Sequence, residues 1–339
     1  MPNMADPDAI ILGDYFYLVG TSDAEAIVIF RASIKSVKTA LKLKKPLSSL
    51  FRHYKTYTPR RSVINLFGES HAHRYCEIWA PDLALVKGEI WLTFSAQFHP
   101  LTHLSCQHIV QQAKQMAHSK AIFIAKNFGP PLLLNLPHFG LYSSFLPITA
   151  FTHKVMRIDS NVFVDQQQHT WLSYTWFTGK GNANSSINLN TGKKVHHTLP
   201  NYRYDEGITE APSFFYRQGF YYLVYSENYY HSKYQLYYKK ANSINKIKLK
   251  TPSCRLSFNS WHTSPSNNYY GYNAGHGTVI NLDNEFYLVH HIGKGYKQNL
   301  TRDTYISKLN FYTNGNIQQI KPPEFIQKKN LLRNLPHCY

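Results

Sequence analysis

Apolar and polar positions along the chain fall into short runs, and one theme built from them returns five times. A turn leads into an apolar strand, a polar or glycine-bearing turn follows, and an aromatic strand comes next. The copies read ADPDAIILGDYFYLVG from Ala5, APDLALVKGEIWLTFS from Ala80, DSNVFVDQQQHTWLSYT from Asp159, EAPSFFYRQGFYYLVYS from Glu210 and HGTVINLDNEFYLVHH from His276. Their second strands register on Leu18, Leu92, Leu172, Leu223 and Leu288, roughly fifty to eighty residues apart. Hairpins of period-two strands at blade-like spacing predict an all-β chain folded as a five-bladed β-propeller. Each copy is followed by a further strand-like run suited to the third strand of a blade: Ala26–Ile34, Ala121–Asn127, Ser185–Asn190, Tyr234–Ala241 and Thr304–Phe311.

The regular spacing predicts one domain over residues 1–339, with no linker long enough to divide it. Residues 106–120, CQHIVQQAKQMAHSK with Cys106 at their head, suit a helix and read as a surface insertion, and residues 325–339 read as a tail. The first strand starts close to Met1, so closure of the ring is expected to rest on the carboxyl-terminal strand. Composition supports many short strands: 15% of the residues are aromatic, with 26 Tyr and 20 Phe. No apolar run reaches 18 residues, so no membrane-spanning helix is expected. No charged-then-apolar signal segment precedes the first repeat, which leads to the expectation of a cytoplasmic protein, one exported by a non-classical route, or a trimmed form.

Charge changes the picture only slightly. The formal net charge is +18, and the basic residues gather in Arg31–Pro46, Lys239–Lys250 and Lys328–Arg333. They alternate with apolar residues and carry no nucleic-acid motif, so they read as solvated outer strands and tails that would attract an anionic glycan. The four cysteines (Cys76, Cys106, Cys254, Cys338) lie far apart without metal-ligand spacing. Free thiols are expected, with a disulfide left open. The pairs and near-pairs of histidine at His71–His73, His196–His197 and His290–His291 come with no ligand set, which argues against zinc.

Candidate chemistry sits at the head of each copy. The inner strands of a propeller line its channel, so the positions occupied by Asp6, Ala80, Asp159, Glu210 and His276 are expected to form a ring at one mouth. Three carboxylates and a histidine there are not required by apolar strands. Singly, each has a structural reading: Asp6 before Pro7 as a turn initiator, Asp159 and Glu210 as turn caps or partners of Arg157 and Arg203. Asp82 lies two residues inside its copy and is assigned a structural hydrogen-bonding role. Two carboxyl groups on opposite walls of a channel suit inverting glycoside hydrolysis, which needs one acid and one base about 6.5–9.5 Å apart.

The segments ADPDAIILGDYFYLVGT, IWAPDLALVKGEIWLTFSA, RIDSNVFVD, TEAPSFFYRQGFYYLVYS and GHGTVINLDNEFYLVHH together resemble glycoside hydrolase family 43 over nearly the whole chain. The resemblance implies a monomeric five-bladed propeller that cleaves arabinose- or xylose-containing glycans with inversion. It implies Asp6 as general base, Glu210 as general acid and Asp159 as the carboxylate that tunes the acid. It places Trp79, His276 and Arg302 at the substrate, and allows a structural calcium in the channel reached through water from His276, with no cofactor required. Neither nucleic acid nor membrane is an expected partner. Two alternatives stay open: a noncatalytic propeller that binds a glycan or another partner, and a related five-bladed hydrolase or transferase acting on a different sugar.

Overall fold

Each copy of the repeat closes on itself as an antiparallel hairpin, and the turn chemistry explains why. Lys87–Gly88, Gln218–Gly219 and Asp283–Asn284 have positive φ at both positions, the two-residue geometry whose twist matches that of the flanking strands. The computed structural model describes residues 4–21, 26–43, 45, 47, 49–57, 73–100, 120–127, 139–140, 157–177, 181–200, 207–230, 233–257, 262–263, 269–296, 301–320 and 338. Their strands form five four-stranded antiparallel sheets, the predicted five blades. Blade I holds β1 (Ala5–Leu12), β2 (Tyr15–Thr21), β3 (Ile27–Ser33) and β4 (Arg52–Tyr57). Blade II holds β5 (His73–Val86), β6 (Glu89–Pro100), β7 (Lys120–Asn127) and β8 (Phe139–Gly140). Blade III holds β9 (Arg157–Val164), β10 (Thr170–Phe177), β11 (Asn182–Asn188) and β12 (Lys194–His196). Blade IV holds β13 (Thr209–Arg217), β14 (Phe220–Glu227), β15 (Gln235–Ala241) and β16 (Cys254–Arg255). In blade V, β18 (Tyr269–Leu282), β19 (Glu285–Tyr296) and β20 (Thr301–Leu309) form the body, and the short β17 (His262–Thr263) pairs with the start of β18.

The core is divided among the seams between blades. Five apolar clusters fill five seams, and successive residues of one strand enter different clusters because a strand points alternate side chains to opposite faces. On β14, Tyr221, Leu223 and Tyr225 pack toward blade III, whereas Tyr222 and Val224 pack toward blade V. Both faces being covered, these strands read as continuous apolar runs. Each of the five register leucines is at most 1% exposed, and burying one such side chain is worth about 1.5–3 kcal/mol.

Blade I meets blade V without exchanging a strand. Phe16 and Leu18 pack against Ile280, Leu282 and Val289, and β20 adds the Thr304 hydroxyl, which donates to the Met4 carbonyl at 3.3 Å. Closure thus uses the carboxyl-terminal strand, as expected, but draws on β18 and β19 as well. The basic segment Arg31–Pro46 is not an outer strand: after β3 it forms helix α1 (Ile34–Lys42), capped by the Ser33 hydroxyl and seated through Val37 and Ala40. Cys254 and Cys338 form a disulfide across a sequence separation of 84. That corrects the expectation of free thiols for this pair and ties the end of the expected tail to the edge of blade IV. The proposed insertion 106–120 lies outside the described residues except for Lys120, which opens β7, and so does the basic run Lys328–Arg333.

Candidate active site

Every inner strand is interrupted at the same place. A β-bulge breaks the register between Ala5 and Asp8, Trp79 and Asp82, Glu210 and Ser213, and Gly275 and Gly277, and on the β10 side of blade III between Ser173 and Thr175. The bulged residue takes a positive φ in each blade: Asp6 at 48°, Ala80 at 43°, Asp159 at 54°, Ala211 at 56° and His276 at 42°. A non-glycine residue pays for this conformation, and what it gains is a side chain re-aimed toward the axis.

The fivefold set corrects one sequence assignment. Ala211, not Glu210, occupies the ring position of blade IV. Ala9 pairs with Leu18, Leu83 with Leu92, Phe214 with Leu223 and Val279 with Leu288, nine residues apart, whereas Val162 and Leu172 are ten apart. The extra residue belongs to the longer β9–β10 turn, so a count of thirteen back from the leucine holds for Asp159 but oversteps in blade IV. Pro7, Pro81 and Pro212 each follow a ring residue. Aligning those prolines would have placed Ala211 correctly.

Glu210 nevertheless reaches the pocket from the position before the bulge, in register with Trp79 and Ile158. Asp6, Thr21, Trp79, Ile158, Asp159, Glu210, Tyr230, His276 and Arg302 line one cavity of about 120 Å³ at the axis. All six sequence-proposed site residues therefore converge there.

Two further rings hold this arrangement. The backbone N–H of each bulged residue donates to a side chain of the preceding blade: Ala80 to Thr21 Oγ1 at 2.8 Å, Asp159 to Ser95 Oγ at 3.0 Å, Ala211 to Thr175 Oγ1 at 3.1 Å, His276 to Ser226 Oγ at 2.9 Å and Asp6 to His291 Nδ1 at 3.1 Å. Each partner stands three residues after its register leucine, so LVGT, LTFS, LSYT, LVYS and LVHH carried a legible signal that the reading of the repeat missed. Four caps are hydroxyls and the fifth is an imidazole.

The second ring lies two residues past each bulge. Asp8 accepts from the Leu83 N–H at 2.7 Å, Asp82 from the Val162 N–H at 3.0 Å and from Asn161 Nδ2 at 2.8 Å, and Asn161 from the Phe214 N–H at 3.1 Å. Ser213 meets Thr278 at 3.3 Å, and Thr278 bonds Asp8, completing the circuit. Asp82 thus takes the structural role assigned to it. The space at the axis beside this girdle is about 20 Å³, room for about one water. Its oxygens are engaged with backbone N–H groups, and among the described residues no three His, Cys, Asp or Glu side chains are placed to hold a metal ion.

The electrostatics of the two central carboxyls diverge. Burial opposes ionisation of Asp6, but Arg302, His276 and His291 outweigh it, aided by the Thr21 hydroxyl, and hold its carboxyl well below the usual range. Arg302 Nη1 donates to Asp6 Oδ1 at 3.2 Å, Thr21 donates to Oδ2 at 2.8 Å, and His276 Nδ1 lies 3.4 Å from Oδ1. Burial lowers both His291 and His276, so their charge adds to the pull on Asp6 in acid, while near neutrality Arg302 supplies the positive charge. For His291 the lowering agrees with Nδ1 acting as acceptor for the Asp6 N–H. Glu210 is pushed up to about 7, first by burial and then by the Asp6 charge, against hydrogen bonds from Tyr234 and Asn182 and the pull of Arg302. Asp159 Oδ2 accepts from the Ala211 N–H at 3.2 Å and so pins the segment that carries Glu210. Arg302 also stacks over Tyr230, 5.1 Å from its ring centre.

The profile of glycosyl hydrolases family 43 matches residues 2–317. The chain belongs to this family. This family-43 glycoside hydrolase has no significant match among curated protein sequences. Its fold is similar to that of several solved structures. An exo-1,5-alpha-L-arabinanase from a bovine ruminal metagenomic library shares 15% identity at a TM-score of 0.62, covering 95% of this chain and 97% of that one. An alpha-L-arabinofuranosidase from Lactobacillus brevis shares 18% identity at 0.61, covering 93% of each chain. An endo-1,4-beta-xylanase from Bacteroides thetaiotaomicron shares 18% identity at 0.60, covering 95% of each.

Proposed function

We propose that this family-43 hydrolase cleaves arabinose- or xylose-containing oligo- or polysaccharides with inversion of configuration, with Asp6 as general base and Glu210 as general acid. One observation carries the reading: two carboxyl groups face a single pocket in opposed surroundings, Asp6 beside the Arg302 guanidinium and the Thr21 hydroxyl, which favour its ionised form, and Glu210 pushed up to about 7 by burial and the Asp6 charge. Environments that push two titratable groups apart mark out the base and the acid. Water gives a proton to Asp6 as its oxygen attacks the anomeric carbon. The bond to the leaving oxygen breaks from the opposite face, and that oxygen takes the proton of Glu210. Asp159 keeps the strand before Ala211 in place and, through its charge, acts on Tyr234. Trp79 offers a flat apolar wall to a sugar ring, and Arg302 and His276 supply hydrogen-bonding groups beside Asp6. The sugar class is taken from the relatives named above, whose printed activities are on arabinan, arabinofuranosides and xylan.

Proton NMR of the first-formed sugar from a nitrophenyl arabinoside or xyloside tests the proposal. Inverted product is expected, and product with the substrate's own anomeric configuration would overturn it.

A further inference from the structure

Tyr234 heads the third-strand run of blade IV, and its ring is among the most enclosed in the molecule, 1% exposed. It stands just before β15 and reaches across to the axis. One face lies on Gly275, where an added Cβ would come within 1.7 Å of the ring, so only glycine permits the approach. The ring also stacks on His291, with centres 5.7 Å apart and planes 15° apart. His291 is the imidazole that caps the bulge of Asp6. The Tyr234 hydroxyl meets Ser226 and Glu210.

The Tyr234 hydrogen bond lowers the Glu210 pKa, as a donor to a carboxyl does, and the rest of the hydrogen-bond chain is compatible with that direction. The His276 N–H is solely a donor and gives to Ser226 Oγ at 2.9 Å. The Ser226 hydroxyl is then free to donate to Tyr234, and the Tyr234 hydroxyl donates to Glu210. Burial and the neighbouring carboxylates push the Tyr234 hydroxyl up, so it keeps its own proton while Glu210 gives one away.

We propose that Tyr234 is a positioning residue of this active site: its hydroxyl fixes the Glu210 carboxyl and its ring braces His291 beneath Asp6, joining acid and base in one rigid unit. The proposal rests on the acid role of Glu210 given above. As Glu210 loses its proton to the leaving oxygen, the Tyr234 hydroxyl stabilises the carboxylate that forms, and this keeps the acid strong enough to act near neutrality. Other groups facing Glu210 are Asn182 from β11, Asp6 from β1 and Arg302 from β20. Asp159 from β9, His276 from β18 and His291 from β19 stand around the same pair. None of them changes when the one hydroxyl is removed.

The test is Tyr234→Phe in the full chain, with the pH profile of kcat/KM and rates on a nitrophenyl glycoside and a natural oligosaccharide. Loss of the donor is expected to raise the Glu210 pKa and move the alkaline limb up by about half to one pH unit. The loss in kcat should be at least about tenfold greater for the oligosaccharide, whose leaving group needs protonation more. An unmoved limb with equal losses on both substrates overturns the proposal. Gly275→Ala is the second variant. Displacing the ring should reproduce the substrate-dependent loss without lowering substrate affinity in proportion, and wild-type kinetics in a folded Gly275→Ala protein would also overturn it. Glu210→Gln separates the two claims: if it leaves oligosaccharide cleavage intact, the acid assignment itself fails, whereas a dead Glu210→Gln beside an unaffected Tyr234→Phe removes only the role of Tyr234.

Discussion

Asp6 and Asp8 stand two residues apart on β1, Asp6 lining the pocket and Asp8 buried beneath it, and their carboxyls end in opposite states. Asp6 meets Arg302, two histidines and a hydroxyl, and is held ionised. Asp8 meets Asp82, and burial first and that neighbour second push it well above the carboxylate range, despite the N–H groups of Leu83 and Ala9 and the Thr278 hydroxyl. Asp82 is pushed up to about 7, chiefly by burial, and is itself hydrogen-bonded to Asp8. The pair is best described as titrating together and sharing a proton. Burial acts on both members of the comparison, so it cannot be what separates them. The partners decide: the Arg302 guanidinium and the Thr21 hydroxyl meet Asp6 above the bulges and leave a reactive base, whereas carboxyls and amides converge below and weld the blades together.

The largest expected effect falls on the upper ring. Asp6→Asn keeps the shape, removes the base, and should lower kcat by roughly a hundred- to ten-thousand-fold in protein that is still folded at the assay temperature, with some stability lost along with the Asp6 charge. A variant that retains activity would show that the low-lying carboxyl is structural too. The lower ring should give the reverse pattern. Asp82→Ala orphans the Val162 N–H and Asn161 Nδ2, costing about 1–3 kcal/mol for each donor in urea denaturation, with kcat at 25 °C near that of the parent. A large fall in kcat at unchanged stability would erase the distinction between the rings.

Protonation sharpens the contrast further. Asp82 and Glu210 are raised from ordinary values of 3.8 and 4.5 to about 7, so the folded state binds more protons than the unfolded chain between those limits. Stability should therefore fall as pH rises from about 4 to about 7, and Asp82→Ala should flatten that slope. Asp6 works the other way: its contribution is present above 3.8 and is lost as pH falls below that. Kinetically, kcat/KM should show no acid limb in the ordinary carboxylate range and should decline above about pH 7 as Glu210 ionises.

The smallest predicted difference lies among the caps. Ser95→Ala removes the cap of the Asp159 N–H, a loss of about 1–3 kcal/mol. Thr175→Val should cost no less in the same denaturation assay: the Ala211 N–H keeps Asp159 Oδ2 as a second acceptor, but the buried Asn184 Oδ1 loses the Thr175 hydroxyl. Unchanged stability in both variants would mean that the bulges are held by packing alone.

Much of this was legible in one dimension because a propeller repeats itself. The register leucines, the hairpin turns and the apolar runs are local features, and local features repeated five times specify five blades. The carboxylates Asp6 and Asp159 were found from their place in the repeat for the same reason. Glu210 was found through a count that landed one residue before Ala211, the ring position of blade IV, since a count of thirteen suits only the blade with the longer β9–β10 turn. The cap residues were written in the repeat as well, three positions beyond each leucine, but their meaning depends on a neighbouring blade.

The sequence alone determined the blade number, the identity of the strands and the presence of carboxylates at one mouth of the channel, since all of these follow from short-range periodicity and turn chemistry. Tertiary structure alone decided which carboxyl is ionised, because that depends on Arg302, His276 and His291 arriving from blade V against Asp6 on blade I. It alone brought Tyr234 across to Glu210 and joined Cys254 to Cys338. Such contacts join residues far apart in the chain, and no local period encodes them. A side chain's charge state and its partners are properties of the space it enters, which exists only once the five blades have closed.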